Sequence, residues 1–144
     1  MDICFVNKIP FLITLSLKID FTTTSNFITK TAKYIFKSFW SIYVLDLKRG
    51  LKITTVHGDG EFVLVRELIA EISSGPMVNL TSANKHVPWI DWRIHVEKER
   101  CRTTRHSLPF MSFPVILNIY IVLKMSSSCD TSPQRLWFRQ LLVS

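Results

Sequence analysis

The sequence predicts an α/β domain, because a run of β-rich segments is followed by helical segments that alternate with further strands. Residues 2–6, 11–17 and 19–24 are apolar or β-prone and are short enough to form an antiparallel meander. Beyond them, apolar residues recur at three- and four-residue steps in segments separated by short β-rich stretches. The chain has 144 residues, 47% of them hydrophobic, which is enough for one domain with a core of its own.

The first helix is predicted to begin at Thr29, as its N-cap, and to end at Gly50. Lys48 and Arg49 stand in its last turn, where the helix dipole favours cations, and glycine is the usual residue just beyond a helix. One apolar stripe runs along this helix and consists of Ala32, Ile35, Phe36, Phe39, Tyr43 and Leu47.

Further elements follow in alternation. A strand is predicted over residues 51–56, a shorter helix over 64–72 and a brief strand over 77–80. Pro88 is acceptable in a first helical turn and opens a third helix. The apolar residues 109–123 predict one more helix, which completes the domain.

Two apolar stretches resemble targeting or membrane segments and are interpreted as core elements. Residues 9–17 have Asp2 ahead of them and no small-residue cleavage site behind them. Residues 109–123 are interrupted by Pro114 and Asn118 and fall short of the roughly 20 residues that a membrane span needs. Neither secretion nor a transmembrane span is therefore predicted.

Charge and cysteine usage restrict the partner and the compartment. A net charge of +7 favours a polyanionic partner, either nucleic acid or an anionic membrane surface. Three cysteines far apart support neither a disulfide framework nor a structural zinc site. A reducing compartment, nuclear or cytoplasmic, fits this usage best.

The stretch KITTVHGDGEF, residues 52–62, contains the first candidate site residue. Its β-branched residues predict a buried strand that runs into the turn-forming trio Gly58, Asp59 and Gly60. Open α/β folds bind ligands at the carboxyl ends of their strands, so Asp59 is a candidate ligand-binding carboxylate. The two glycines would allow close backbone approach to its ligand. The alternative is a surface connector with a solvated aspartate.

The third helix has two different sides. The pattern of Ile90, Ile94, Glu97 and Cys101 marks one side. The other side presents Asp91, His95, Lys98, Arg102 and Arg105, which step by four and three residues. A carboxylate followed by a cationic row suits a metal ion and phosphates. The alternative is an ordinary solvated basic face.

Three stretches resemble the integrase catalytic core of long-terminal-repeat retrotransposons, over roughly residues 2–124. They read MDICFVNKIPFLITLSLKIDFTTT, KITTVHGDGEF and SANKHVPWIDWRIHVEKERCRTTRHSLPF. The resemblance implies a ribonuclease H-like fold, in which an antiparallel meander and parallel strands form a mixed five-stranded sheet flanked by helices. Residues 125–144 lie outside it and are predicted to form a divergent, poorly ordered tail.

The resemblance also implies an activity: metal-dependent cleavage of DNA phosphodiesters and strand transfer. Family members hold two Mg²⁺ or Mn²⁺ ions with two aspartates and a glutamate, positions that Asp2, Asp59 and Asp91 occupy in this sequence. Cationic residues further along the family's third helix contact DNA, and here those positions are His95 and Lys98. Arg102 and Arg105 continue the row. DNA, with RNA as an alternative, is the implied partner, and homo-oligomers occur in the family.

Departures from the family pattern predict a truncated, degenerate copy that is inactive or impaired. Asp91 replaces glutamate and shortens the third ligand by one methylene, and Trp89 and Trp92 stand where charged residues are usual. Asp2 directly follows Met1, at the edge of the first strand. Two other functions stay open. One is a catalytically inactive nucleic-acid-binding module, and the other is a small basic protein of the membrane surface.

Overall fold

Strand pairing divides five strands between two sheets in the computed structural model, which describes residues 1–81 and 88–128. β1 (Asp2–Val6), β2 (Ile9–Ser16) and β3 (Phe21–Asn26) form an antiparallel sheet in the order β1-β2-β3. β4 (Thr55–Gly58) and β5 (Met77–Leu80) pair in parallel. With four α-helices in the same residues, the fold is mixed α/β, as the sequence predicts.

The second and third strands of the meander are shifted by one or two residues from their prediction, because the first turn is shorter and the second turn is longer than predicted. Asn7 and Lys8 both have positive φ, 50° and 65°, as the two central residues of a type I′ hairpin turn do. β2 therefore begins at Ile9 rather than after Pro10. Asp20 also has a positive φ, 47°, and β3 starts directly after it at Phe21.

The resemblance implies one five-stranded sheet, but the backbone hydrogen bonds form a three-stranded sheet and a separate two-stranded sheet. The start of β1 reaches only the end of β4, where the amino-terminal ammonium of Met1 donates to the carbonyl of His57 at 2.6 Å. Two strands that meet only at their ends have too few residues side by side for a ladder. The sheets nevertheless share one apolar cluster, in which Leu12 of β2 packs with Val56 of β4.

The first helix, α1 (Ala32–Lys48), ends as predicted but begins later. Thr31 is its N-cap instead of Thr29, and its side chain makes no capping hydrogen bond. At the other end Gly50 adopts a φ of +78°. The N–H of Gly50 donates to Leu47 at 2.9 Å, and the N–H of Leu51 donates to Asp46 at 2.9 Å. These two bonds are the Schellman arrangement that a glycine permits.

The apolar stripe predicted for α1 is correct over most of its length. Ile35, Phe39 and Tyr43 are buried. At the last turn the buried residue is Asp46, while the side chain of Leu47 is 43% exposed. Including Leu47 in the stripe was therefore wrong, because the buried side of α1 continues from Ile42 and Tyr43 to Asp46.

Three further helices complete the described fold. A 3₁₀ turn (Gly60–Phe62) leads into α2 (Val63–Ala70). α3 (Pro88–Ser107) begins at the proline predicted to open it. α4 (Val115–Ser128) is the apolar helix predicted over residues 109–123, but it begins only after Pro114 and continues into the first residues of the predicted tail. Residues 82–87, between β5 and α3, and residues 129–144, most of the predicted tail, lie outside the described residues.

Two apolar clusters lie on opposite faces of the antiparallel sheet. Alternate residues of a strand face opposite ways, so Leu12 of β2 packs with α1 and α2, whereas Phe11 and Ile13 pack with α3 and α4. The side predicted to mark α3's pattern, with Ile90 and Ile94, is buried in the second cluster. The sheet is thus covered by helices on both faces, and α3 lies over the face to which β1 contributes Cys4.

Candidate functional site

Asp2, the first predicted metal ligand, opens β1 and pairs with Ile13 of β2 in the antiparallel register. It is two residues before Cys4, so it points to the face of the sheet that α3 covers. One carboxylate oxygen, Oδ1, accepts a hydrogen bond from the N–H of Ile3 at 2.7 Å. The side chain is partly buried, and only one of its oxygens is used by the backbone.

Asp59, the second predicted ligand, directly follows β4 and caps the 3₁₀ turn. Its Oδ1 accepts a hydrogen bond from the N–H of Glu61 at 3.0 Å. The preceding glycine serves packing: a Cβ on Gly58 would lie 2.9 Å from Cδ2 of Phe62, which is fully buried. The close approach at Gly58 is therefore to a core aromatic ring, which differs from the ligand approach that the sequence suggested.

Asp91, the third predicted ligand, stands in the first turn of α3 and is exposed. Its two tryptophan neighbours are exposed as well, Trp89 by 67% and Trp92 by 59%. The helix buries Ile90 instead, together with Arg93, which the sequence pattern did not assign to the buried side. Arg93 forms an ion pair with Asp20 at the turn before β3.

The pKa of Asp2 relates the three carboxylates to one another. Burial raises this pKa most, the hydrogen bond from Ile3 opposes the rise, and the negative charges of Asp59 and Asp91 raise it further. The three side chains thus share one electrostatic neighbourhood, although they come from widely separated parts of the chain. The Met1 ammonium lies in it too: burial lowers its pKa to about 6, against the opposing charges of Asp2 and Asp59.

These carboxylates have the right donor chemistry for a divalent cation without forming a closed cage. Carboxylate oxygens are the ligands that Mg²⁺ prefers. Among residues 1–81 and 88–128, however, no three His, Cys, Asp or Glu side chains lie close enough together to hold a metal ion. To bind one, the side chains of Asp2, Asp59 and Asp91 would have to rotate towards one another. Their role as metal ligands stays a prediction.

The predicted cationic row on α3 is partly engaged with the protein itself. His95 is exposed and Lys98 is half-buried. Arg102 pairs with Glu99, one turn before it. Arg105 donates to Oδ1 of Asn7 at 2.8 Å, and its guanidinium also lies over an aromatic ring of the segment before α4.

The sequence did not reveal a cavity between the β1–β2 turn, the end of α3 and the start of α4. We call it the α3–α4 pocket; its volume is about 620 Å³. Cationic and aromatic side chains line it, including Lys98, Arg102, Arg105, Phe5, Phe110 and Phe113. No spacing rule could have found it, because the residues come from three segments. The one available signal was the aromatic cluster that follows the basic helix.

Two buried thiols and a buried carboxylate lie next to this region. Burial raises the pKa of the Cys4 thiol to about 12 and that of the Cys101 thiol to about 11. Both cysteines are free. Glu97 is only 4% exposed, and neither of its carboxylate oxygens has a hydrogen-bond partner among the described residues. Cys4 and Cys101 belong to the second apolar cluster, so their thiols are shielded from solvent.

Comparison with known proteins adds no relative: no protein-family model matches the chain, and no curated protein matches it. The resemblance to integrase cores therefore stays a prediction. In the described part of the chain, no helix is both long and apolar enough to cross a membrane.

Proposed function

We propose that this chain is a ribonuclease H-like integrase core that acts on DNA phosphodiesters with impaired efficiency. The observation that carries the proposal is geometric: Asp2 points to the face of the sheet that α3 covers, and the Met1 ammonium next to it donates to the carbonyl of His57, two residues before Asp59. The pKa of Asp2 agrees with this placement, since burial raises it most and the charges of Asp59 and Asp91 raise it further. The order of elements supports it as well: an antiparallel meander, then helix, strand, helix, strand and helix, with helices on both faces of the sheet.

The proposed roles divide between the carboxylates and the cations. Asp2, Asp59 and Asp91 would hold Mg²⁺ or Mn²⁺, and a pair of such ions supplies stabilisation of the attacking and leaving oxygens in an in-line displacement at phosphorus. His95 and Lys98, one and two turns after Asp91 on α3, would bind the DNA backbone. A DNA 3′-hydroxyl or water is the nucleophile that the resemblance implies.

The impairment follows from the length of the third ligand. Aspartate reaches roughly 1 Å less far than glutamate, whereas catalytic constellations tolerate displacements of only about 0.5 Å. Asp91 is also exposed, so bulk water competes with its carboxylate for a bound cation. Weak cation binding and slow cleavage are therefore the expected behaviour.

The test measures Mn²⁺ binding and DNA cleavage on the same set of proteins. Isothermal titration should detect weak Mn²⁺ binding to the wild-type chain and its loss in Asp59→Asn. Glu71→Gln, which neutralises an exposed carboxylate at the end of α2, should bind as the wild type does. Asp91→Glu should bind Mn²⁺ more tightly, on the order of tenfold or about 1.4 kcal/mol.

Cleavage is followed on a labelled duplex with Mn²⁺ present. Cleavage above the Asp59→Asn background, enhanced by Asp91→Glu, would support the proposal. A wild-type chain that neither binds Mn²⁺ nor cleaves above that background, with no gain in Asp91→Glu, would refute it.

A second candidate is a catalytically inactive module that binds nucleic acid. It is favoured by the cations on α3 together with the absence, among the described residues, of three side chains placed to hold a metal ion. Such a module should bind DNA independently of divalent cations, with affinity that falls steeply as salt rises. Equal binding at low and moderate salt would exclude it.

A further inference from the structure

The α3–α4 pocket combines two kinds of wall that rarely occur together on an ordinary surface. Along α3, Lys98, Arg102 and Arg105 contribute cationic groups, and His106 follows them. The facing segment contributes Phe110 and Phe113, whose rings meet edge to face with centroids 6.3 Å apart. None of the described residues that line the pocket is acidic.

The aromatic side chains of the pocket are exposed to solvent, although exposing large apolar groups to water is unfavourable. Phe110 is 60% exposed and Phe5, which also lines the pocket, is 48% exposed. Large apolar groups gathered around a concavity are characteristic of binding sites, and a volume of about 620 Å³ lies in the usual range for ligand pockets. This aromatic wall therefore favours a ligand with a flat, apolar face.

The cationic side chains that line the pocket are positioned to bind phosphates. Arg105 is fixed by its hydrogen bond to Asn7, whose amide donates in turn to Oδ1 of Asn118 at 2.9 Å. Lys98 forms no ion pair with any described residue. Arg102 pairs with Glu99 in an exposed helical pair, which is weak enough for a phosphate to displace the carboxylate.

We propose that the α3–α4 pocket binds an unpaired nucleotide of a nucleic-acid strand, with its base against Phe110 and the adjoining phosphates on Lys98 and Arg102. The cations extend over roughly 10 Å of α3, which suits successive phosphates better than one carboxylate head group. A base stacked inside a duplex cannot reach an aromatic wall, so the pocket selects unpaired strands. This inference rests on the proposed function only in taking nucleic acid as the ligand.

The test uses fluorescence anisotropy with the full-length chain, a labelled oligothymidylate and a duplex of equal length. Phe110→Ala should weaken single-strand binding by about 5- to 150-fold, which is the loss expected when one base no longer stacks on an aromatic ring. Its effect on duplex binding should stay within about twofold, because the duplex contacts only the cations. Arg102→Ala should weaken both and reduce the slope of log affinity against log salt by about 1.

Matched controls lie on α1, which packs on the other face of the sheet. Tyr34→Ala removes an exposed aromatic ring there, and Lys37→Ala removes an exposed cation. Each should bind both oligonucleotides as the wild type does. Thermal unfolding verifies that every variant is folded.

Three results would overturn the inference. The first is unchanged single-strand binding in Phe110→Ala together with weaker binding in Arg102→Ala, which would reduce the surface to a phosphate-binding face. The second is equal loss of duplex and single-strand binding in Phe110→Ala. The third is Phe110-dependent binding of oleate in place of oligothymidylate, which would make the pocket an amphiphile site. Because no arm requires a divalent cation, these results are independent of the Mn²⁺ and cleavage tests.

Discussion

Replacing Gly58 by alanine should destabilise the fold through a single clash. The added Cβ would lie 2.9 Å from Cδ2 and 3.2 Å from Cγ of Phe62, well inside the 3.5–4.0 Å that carbon atoms prefer. Phe62 is fully buried, so its ring cannot move away without displacing other core side chains. Overpacking of this kind costs about 1–3 kcal/mol.

This cost converts into a measurable melting shift. An unfolding entropy of about 2.1 cal/mol/K per residue gives roughly 0.3 kcal/mol/K for a chain of this length. Gly58→Ala should therefore lower Tm by about 3–10 °C in a circular-dichroism melt. Alanine also lowers the conformational entropy of the unfolded chain, and this effect would offset at most about 1 kcal/mol of the destabilisation.

A double-mutant cycle assigns the effect to the ring. Phe62→Leu alone should destabilise by about 1–2 kcal/mol because it leaves a small void. Combined with Gly58→Ala, it also removes the atoms that clash, so the double variant should be more stable than the sum of the single effects by about 1–2 kcal/mol. Gly50→Ala is the contrasting variant: nothing lies within 4 Å of a Cβ there, but its φ of +78° strains an alanine, so its destabilisation should add to that of Phe62→Leu without coupling. Additive effects of Gly58→Ala and Phe62→Leu would refute the reasoning.

Three further perturbations test buried polar groups. Glu97→Met should raise the free energy of unfolding by about 1–3 kcal/mol in urea titrations, because both carboxylate oxygens are buried without partners; destabilisation would mean that Glu97 has a partner. In a Cys129→Ser background, Cys4 and Cys101 should resist iodoacetamide at pH 8 until urea is added. With pKa values of about 12 and 11, only about one thiol in ten thousand and one in a thousand ionises. Burial raises the pKa of Asp46 above its ordinary value of 3.8. Between 3.8 and the raised pKa the folded state binds more protons than the unfolded state, so stability falls as pH rises through this interval. Asp46→Asn should therefore be more stable relative to the wild type at pH 7 than at pH 3. The same stability difference between variant and wild type at both pH values would contradict this.

The parts of the fold that the sequence predicted well depend on neighbouring residues. Gly50 ends α1 because only a residue tolerant of positive φ completes the Schellman hydrogen bonds. Pro88 begins α3 because a first-turn residue needs no N–H partner. Strand β5 has its predicted bounds, Met77–Leu80. Each signal is local, so a single sequence is enough to read it.

The parts that the sequence predicted poorly depend on distant contacts. Whether β1 and β4 form one ladder is decided by how far the strands overlap, which neither strand's composition specifies. Thr29 and Thr31 are equally good N-caps by residue type, and the choice between them depends on how the chain leaves β3. The α3–α4 pocket has the same origin, since its walls come from segments about 100 residues apart.

The candidate metal site illustrates how the same charges act on stability and on binding. Asp2 and Asp59 each use Oδ1 to accept a hydrogen bond from a neighbouring backbone N–H, at 2.7 Å and 3.0 Å. Burial raises the pKa of Asp2 most and the negative charges of Asp59 and Asp91 raise it further, so ionisation of Asp2 beside these two carboxylates destabilises the fold. A divalent cation would remove that repulsion and bind the folded chain in preference to the unfolded one. Repulsion among the carboxylates is therefore a source of cation affinity, and this affinity should rise with pH as Asp2 loses its proton.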